Sequence, residues 1–254
     1  MQLRVLGCSG GIGPDLGTTS LLIDDDIMID AGSGLGTLNL EEMSCIRHVF
    51  VTHSHLDHIA FIPLLVDTIF DRISEPLVIH GQESTLKALK EHIFNWVVWP
   101  DFAELPHAHT PVLRYEVMAP GETLDIDGRS IEMIPVNHVV PAVAYRVEHN
   151  GKSFAFSGDT TTNDSFWEAL NAHDGLDVLI VECAFANHDL ELSRLARHYC
   201  PSLLVADLQK LRHEPEVFIT HLKPGEETTI MAECAQVLAD RGARRLGGDQ
   251  VFAL

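Results

Sequence analysis

Apolar residues recur at every second position, or in short unbroken runs, along most of this chain, and helical spacing is confined to the stretches between those runs. Leu3 to Leu6 predicts a short first strand, and Thr19 to Asp24 with Ile27 to Asp30 predicts a hairpin around Asp25-Asp26. Further strands are expected over Arg47–Val51, Pro76–His80, Leu124–Ile126, Arg129–Pro135, Ala142–Glu148, Ser153–Ser157, Val178–Glu182, Val217–Thr220 and Gln250–Leu254, with turns at Asp127-Gly128 and Asn150-Gly151. Helical spacing marks Asp57 to about Arg72, with Ile62, Leu65, Val66 and Ile69 as its apolar face, and then Glu83–Phe94. It returns at Asp164–Ala172, Leu190–Arg197, Ser202–Leu211 and Glu226–Arg241. There is no internal repeat, low-complexity run or linker, so residues 1–254 read as one domain. Strand-rich stretches interleaved with helices in two halves predict an α/β fold of two sheets packed face to face with helices outside.

One stretch breaks the pattern. From Asn95 to Ala119, Trp96, Trp99, Phe102 and Tyr115 lie among Pro100, Pro106 and Pro111, and Arg114 is the single Lys or Arg. That composition suits a lid or a homodimer contact, and equally an irregular connection packed down by its tryptophans. His107 and His109 within it stand on a proline-rich loop, a poor platform for a metal, and are left out of the candidate ligands.

The formal net charge of −20 weighs against nucleic acid as the main partner, because the surface repels polyanions on average. Met1 to Leu6 has neither the basic start nor the apolar run of a secretory signal, and no segment approaches a membrane span. The five cysteines form no C-x-x-C pair, so free thiols in a cytoplasmic setting are the expectation. The loop Gly7-Cys8-Ser9-Gly10-Gly11-Ile12-Gly13 can bring backbone amides close to a ligand, or can simply be a tight turn between strands.

Chemistry concentrates where the Arg47–Val51 strand ends. His53, Ser54, His55, Leu56, Asp57 and His58 place four metal-ligating side chains within six positions. His53 and His55 leave an extended segment on the same side, while Asp57 and His58 follow the turn and can face a neighbouring position. One ion needs fewer ligands from one loop, whereas two adjacent ions would use all four. Three further strand ends carry isolated ligand types: His138 after Asn137, Asp159 in Ser157-Gly158-Asp159, and His221 in Thr220-His221-Leu222. Asp30 ends its own strand near this loop and is expected to support a ligand rather than bind an ion.

His53-Ser54-His55-Leu56-Asp57-His58 together with His138, Asp159 and His221 resembles the metallo-β-lactamase superfamily of dinuclear hydrolases, over essentially the whole chain. The resemblance implies a four-layer αββα sandwich. It also implies one ion on His53, His55 and His138, a second on Asp57, His58 and His221, and Asp159 between them. Such a ligand set suits two divalent metal ions, zinc first and manganese or iron as alternatives. Among the superfamily's branches, Glu182-Cys183-Ala184-Phe185 and Thr220-His221-Leu222-Lys223-Pro224 are similar to elements of the class II cyclic-nucleotide phosphodiesterases. The ribonucleases of the tRNase Z type have a histidine where Val181 stands, and they grip RNA with a basic arm that Asn95 to Ala119 does not resemble.

The resemblance therefore implies hydrolysis of a small phosphodiester, a 3′,5′-cyclic nucleotide such as cAMP or cGMP, by a metal-bridging hydroxide. Asp57 and Asp159 would take part, with His198 beside the scissile phosphate (a helix-end histidine is the other reading) and Glu182 fixing it or binding the sugar. Phe61 departs from the cyclic-nucleotide pattern, which has a small residue there. A tRNase Z-like ribonuclease and a lactone or thioester hydrolase stand as alternatives. From another class, di-iron redox or oxygen-binding proteins of this fold are a further alternative, although those carry an acidic residue at or beside the position of His55.

Overall fold

The computed structural model describes residues 1–254. Its strands are β1 Gln2–Gly7, β2 Ser20–Ile23, β3 Ile27–Ile29, β4 His48–Phe50, β5 Leu77–Gly81, β6 Pro106–His107, β7 Thr110–Pro111 and β8 Leu113–Val117 in the first half. The second half has β9 Thr123–Ile126, β10 Arg129–Val136, β11 Ala142–His149, β12 Lys152–Phe156, β13 Val178–Glu182, β14 Glu216–Thr220, β15 Arg244–Arg245 and β16 Val251–Ala253. The helices are α1 Leu40–Cys45, α2 Leu56–Ile59, α3 Ile62–Ile69, α4 Glu83–His92, α5 Ser165–Asn171, α6 Leu190–Ala196, α7 Pro201–Leu208 and α8 Glu227–Val237. No helix is long and apolar enough to cross a membrane.

Fourteen of the strands form two seven-stranded sheets, ordered β16-β1-β2-β3-β4-β5-β8 and β15-β14-β13-β12-β11-β10-β9, and β6 pairs with β7 in a small separate ribbon. Alternation along each strand divides the side chains between two apolar layers. In the first sheet Leu3, Val5, Leu21, Ile23, Ile29 and Phe50 face the other sheet and meet Ile131, Met133, Tyr145, Phe154, Phe156 and Ile180. Their neighbours Leu22, Met28, Val49 and Ile79 point the opposite way, onto Ile62, Leu65, Val66 and Leu86 of α3 and α4. In the second sheet Ile134, Ala155, Leu179, Val181 and Ile219 pack outward under Phe166, Trp167, Leu204 and Ile230 of α5, α7 and α8. Both faces of each sheet are covered, which explains near-continuous apolar strands such as Val178–Glu182. The result is the four-layer αββα sandwich.

The expected helix from Asp57 to Arg72 is interrupted. Phe61 donates its amide to Ala31 O at 2.9 Å rather than into a continuing helix, and Pro63 has no amide to donate, so α2 stops at Ile59 and α3 begins anew. The Asn95–Ala119 stretch contains more structure than an irregular connection: Leu113–Val117 is a strand paired in parallel with Leu77–Gly81 at the sheet edge. Phe102 and Val112 are buried in the layer beneath α3 and α4, while Trp96, Val97 and Val98 stay exposed. The expected helix Glu226–Arg241 ends at Val237 and finishes in a 3-10 turn. The one-turn helix α1 and the two-residue strand β15 were not apparent in the periodicity.

Strand direction sets the position of the chemistry. β12, β13 and β14 are mutually parallel, so Asp159, Glu182 and His221, at or just past their carboxyl ends, share one rim. β4 runs parallel to β3 and β5 and delivers Val51–His58 to the same rim from the other sheet. The connection between antiparallel β10 and β11 adds His138.

Candidate metal centre

Seven side chains converge on this rim as two groups that share Asp159. His53, His55, His138 and Asp159 form one, and Asp57, His58, Asp159 and His221 the other, with the ligating atoms of each group within 4.8 Å of one another. Asp159 faces both: Oδ2 lies 3.5 Å from His53 Nε2, while Oδ1 lies 3.3 Å from His58 Nε2 and 3.3 Å from His221 Nδ1. Asp57 Oδ2 completes the second group at 3.7 Å from His58 Nε2 and 3.8 Å from His221 Nε2. His138 Nε2 approaches His55 Nδ1 to 3.2 Å in the first.

Whether these residues fit metal ions can be judged from their partners. His53 Nε2, His58 Nε2, His221 Nδ1 and Asp159 Oδ1 are buried polar atoms with no hydrogen-bond partner in the chain. Leaving four such atoms unpaired would cost about 1–3 kcal/mol each, and all four point into one space. A cation in each group removes that cost, so the donor set fits.

The opposite ring nitrogens are held. His58 Nδ1 lies 2.6 Å from Asp30 Oδ2, and the same carboxylate accepts from Thr52 N and Thr52 Oγ1, both at 2.8 Å. Thr52 Oγ1 is 3.0 Å from His53 Nδ1, and His138 Nδ1 donates to the Arg197 carbonyl at 3.0 Å. Donation at Nδ1 leaves Nε2 with a lone pair turned inward, the tautomer that metal ligation requires. Asp30 thus holds His58, one of the candidate ligands, from the side away from Asp159. Its backbone (φ 56°) and that of His221 (φ 60°) lie in the left-handed region, a local strain of order 1 kcal/mol each. Two glycines allow the close packing here: a Cβ on Gly32 would fall 2.2 Å from Asp57 O, and one on Gly10 would fall 2.5 Å from His221 O.

Electrostatics follow from burial. Removal from water keeps the His53, His138 and His221 imidazoles neutral, with His138 brought down to about 4 and His221 to about 3. Burial also pulls on His58, but Asp159 and Asp30 on either side overcome it and raise its affinity for a proton. The imidazoles around Asp159 outweigh its own desolvation and hold its carboxyl well below the usual range. A cation entering the second group therefore competes with a proton on His58.

Beside the centre, His198 packs 4.9 Å from the His138 ring and lies nearly parallel to His221 at 5.3 Å. Its Nδ1 bonds Glu182 Oε1 at 2.8 Å, and that wholly buried carboxylate also accepts from the amides of Thr160, Ala184 and Tyr199. Glu182 is thus an anchor for His198, with no free oxygen turned to a sugar. His107, at the end of β6, and His109, in the exposed turn before β7, stack on each other at 5.6 Å as members of neither ligand group. Thr52, which connects Asp30 to His53, was missed in the sequence reading; its place between an apolar strand and the first histidine was the available signal.

Residues 26–246 match the family described as the beta-lactamase superfamily domain. The chain belongs to the β-lactamase superfamily. Within this superfamily it is 28% identical over 203 residues to a probable 3′,5′-cyclic-nucleotide phosphodiesterase of Yersinia pestis, covering 70% of this chain and 57% of that protein. It is 32% identical over 170 residues to a ribonuclease Z of Halorubrum lacusprofundi, covering 61% of this chain and 51% of the relative. The chain thus spans little more than half the length of these two relatives. Among solved structures, unliganded yeast PDE1 superposes with a TM-score of 0.84 at 17% identity, covering 100% of this chain and 99% of that one. At that identity the likeness is one of fold.

Proposed function

We propose that this superfamily member is a dinuclear metal-dependent phosphodiesterase acting on 3′,5′-cyclic nucleotides. The observation that carries the reading is the pair of ligand groups sharing Asp159, with four buried and unpartnered ligating atoms turned into one space. His53, His55 and His138 would hold one divalent ion and Asp57, His58 and His221 the other, with Asp159 common to both. Bound there, two divalent ions supply Lewis acidity toward the phosphate oxygens and lower the pKa of water to near 7.

The chain's own residues then position and transfer protons. Asp30 and Thr52 fix the tautomers of His58 and His53. Glu182 fixes His198 through Nδ1, leaving Nε2 as the atom that can give a proton to the departing ribose oxygen. Burial acts to lower the His198 pKa, but the charge and hydrogen bond of Glu182 overcome it, so the ring sits above the ordinary imidazole value. That favours the protonated form a general acid needs near neutral pH.

The ribonuclease Z relative supports a second reading, cleavage of an RNA phosphodiester. The net charge of −20 and the lack of a basic arm count against it, since RNA binding relies on phosphate neutralisation. The test is a screen of the zinc- or manganese-loaded protein with cAMP, cGMP, a tRNA precursor and bis(4-nitrophenyl) phosphate. Turnover of a cyclic nucleotide is expected, falling about 10²–10⁴-fold in His198→Ala at unchanged metal content. Cleavage of the tRNA precursor with no cyclic-nucleotide turnover would overturn the proposal in favour of the ribonuclease. An intense visible absorption band from bound iron, with no hydrolysis, would point to the redox class instead.

A further inference from the structure

Helix α6 closes on an arginine in an unusual conformation. Arg197, the residue after Ala196, has φ 53° and ψ 53°, in the left-handed region. The His198 amide reaches back to Ser193 O at 3.0 Å, and the wholly buried Ser193 donates its hydroxyl to His198 O at 2.8 Å. Glycine usually fills such a helix-ending position, because a Cβ there crowds the backbone. A side chain persists in that region where the surrounding bonds over-determine it.

Two bonds to one candidate ligand do so here. With the backbone turned this way, the Arg197 carbonyl accepts from His138 Nδ1 at 3.0 Å. The Arg197 guanidinium returns to the same residue, and its Nη1 donates to His138 O at 2.7 Å, with Asn137 Oδ1 at 3.4 Å. His138 is thus held at its ring and at its backbone by one residue 59 positions further along the chain.

The remaining bonds close a circuit. Arg197 leads into His198, whose Nδ1 meets Glu182 Oε1 at 2.8 Å, and that oxygen also accepts from Thr160 N at 2.9 Å. Thr160 Oγ1 donates to Asn137 O at 3.2 Å, and Asn137 Nδ2 to Thr162 O at 2.9 Å. Asn137 leads back to His138. Glu182 and Thr160 belong to the rim of the second sheet, at or just past strand ends. Arg197 supplies the link from the α6 side.

We propose that Arg197 is a positioning residue that fixes His138 as a metal ligand and sets its separation from the proton donor His198. The rings of those two histidines lie 4.9 Å apart. Both bonds to His138 come from the immediate neighbour of His198, so a shift of this turn changes the separation. The hold on His198 rests on the phosphodiesterase reading, whereas the hold on His138 is tested by metal affinity alone.

The test compares the full chain with Arg197→Gly and Arg197→Lys. Glycine adopts the left-handed turn without strain, so that variant keeps the carbonyl bond and loses only the guanidinium. Lysine keeps a cationic donor for His138 O. Zinc affinity is measured by chelator competition and melting by circular dichroism. At saturating zinc, kcat is compared for cAMP, cGMP and bis(4-nitrophenyl) phosphate. Arg197→Gly should weaken one of two zinc equivalents about tenfold, at a melting temperature no lower than that of the unmodified protein. Arg197→Lys should recover most of that loss. 4-Nitrophenolate departs without a proton and a ribose alkoxide does not. The cyclic-nucleotide kcat of Arg197→Gly should therefore fall about tenfold further than the aryl ester's.

Zinc affinity within twofold of the unmodified protein for both equivalents of Arg197→Gly would overturn the proposal. Equal falls in the two kcat values would overturn the hold on His198. The stated loss of zinc affinity in a protein that turns over no cyclic nucleotide would uphold the hold on His138. It would refute the cyclic-nucleotide reading, and the role of Arg197 toward a proton donor would fall with it.

Discussion

Replacing Asp30 with asparagine should disable the metal centre from a distance while leaving the fold in place. The carboxylate accepts three hydrogen bonds: Thr52 N at one oxygen, and Thr52 Oγ1 with His58 Nδ1 at the other. An asparagine must place its NH2 at one of these positions. Facing Thr52 N it would set two donors against each other, and a backbone amide cannot reverse its role. Facing Thr52 Oγ1 and His58 Nδ1 it meets two groups that can adapt, because the hydroxyl rotates and the imidazole moves its proton. His58 then carries hydrogen on Nε2, the atom 3.3 Å from Asp159 Oδ1, and its inward lone pair is lost. Disturbing the partner behind a metal-bound histidine typically costs about 10–100-fold in affinity. Here the tautomer itself is reversed, so the upper end of that range, about 2.7 kcal/mol, is expected. The assay is a chelator-competition titration with zinc, together with metal-to-protein ratios by elemental analysis and a circular dichroism melt. Thr52 Oγ1 also touches His53 Nδ1, so affinity at the first group should fall by a smaller factor. A second equivalent of zinc bound by Asp30→Asn within threefold of the unmodified affinity would refute this reasoning.

Two further outcomes follow from buried groups away from the ligands. His80 is buried against Phe50, 4.3 Å between ring centroids, and burial with the neighbouring His48 lowers its pKa to about 3. The unfolded chain takes up a proton near pH 6.5 while the folded chain resists, so this stability is complete above 6.5 and is lost as the pH falls toward 3. Urea unfolding at pH 7, 6 and 5 should show the advantage over His80→Gln shrinking by about 1.4 kcal/mol per unit below 6.5; a constant difference would contradict it. Asp207, 2% exposed, accepts from Asn163 N, Trp167 Nε1 and Tyr199 OH at one oxygen and pairs with Lys210 at the other. Asp207→Ala should destabilise the chain by about 3–5 kcal/mol in urea. It should also reduce turnover, since Tyr199 follows His198; an unchanged unfolding midpoint would show these bonds to be idle.

Much of this protein could be read from local sequence because its chemistry is partly local. His53, His55, Asp57 and His58 lie on one turn, so their spacing alone indicated two neighbouring cation positions, and the period of the apolar residues marked most strands. Other features depend on residues far apart in the chain. Periodicity carried the apolar pattern of Ile62, Leu65 and Val66 back to Asp57, but Ala31 O captures the Phe61 amide and Pro63 restarts the helix. Leu113–Val117 was obscured by nearby prolines and became a strand because Leu77–Gly81 offers it an open edge. Asp30 is 28 residues from His58, and only their packing turns its carboxylate into the group that sets the imidazole's tautomer. Residue types and their spacing could specify which atoms are able to bind metal. Which nitrogen faces inward was decided by long-range hydrogen bonds and the parallel run of β12 to β14, because those contacts exist only once the two sheets have closed on each other.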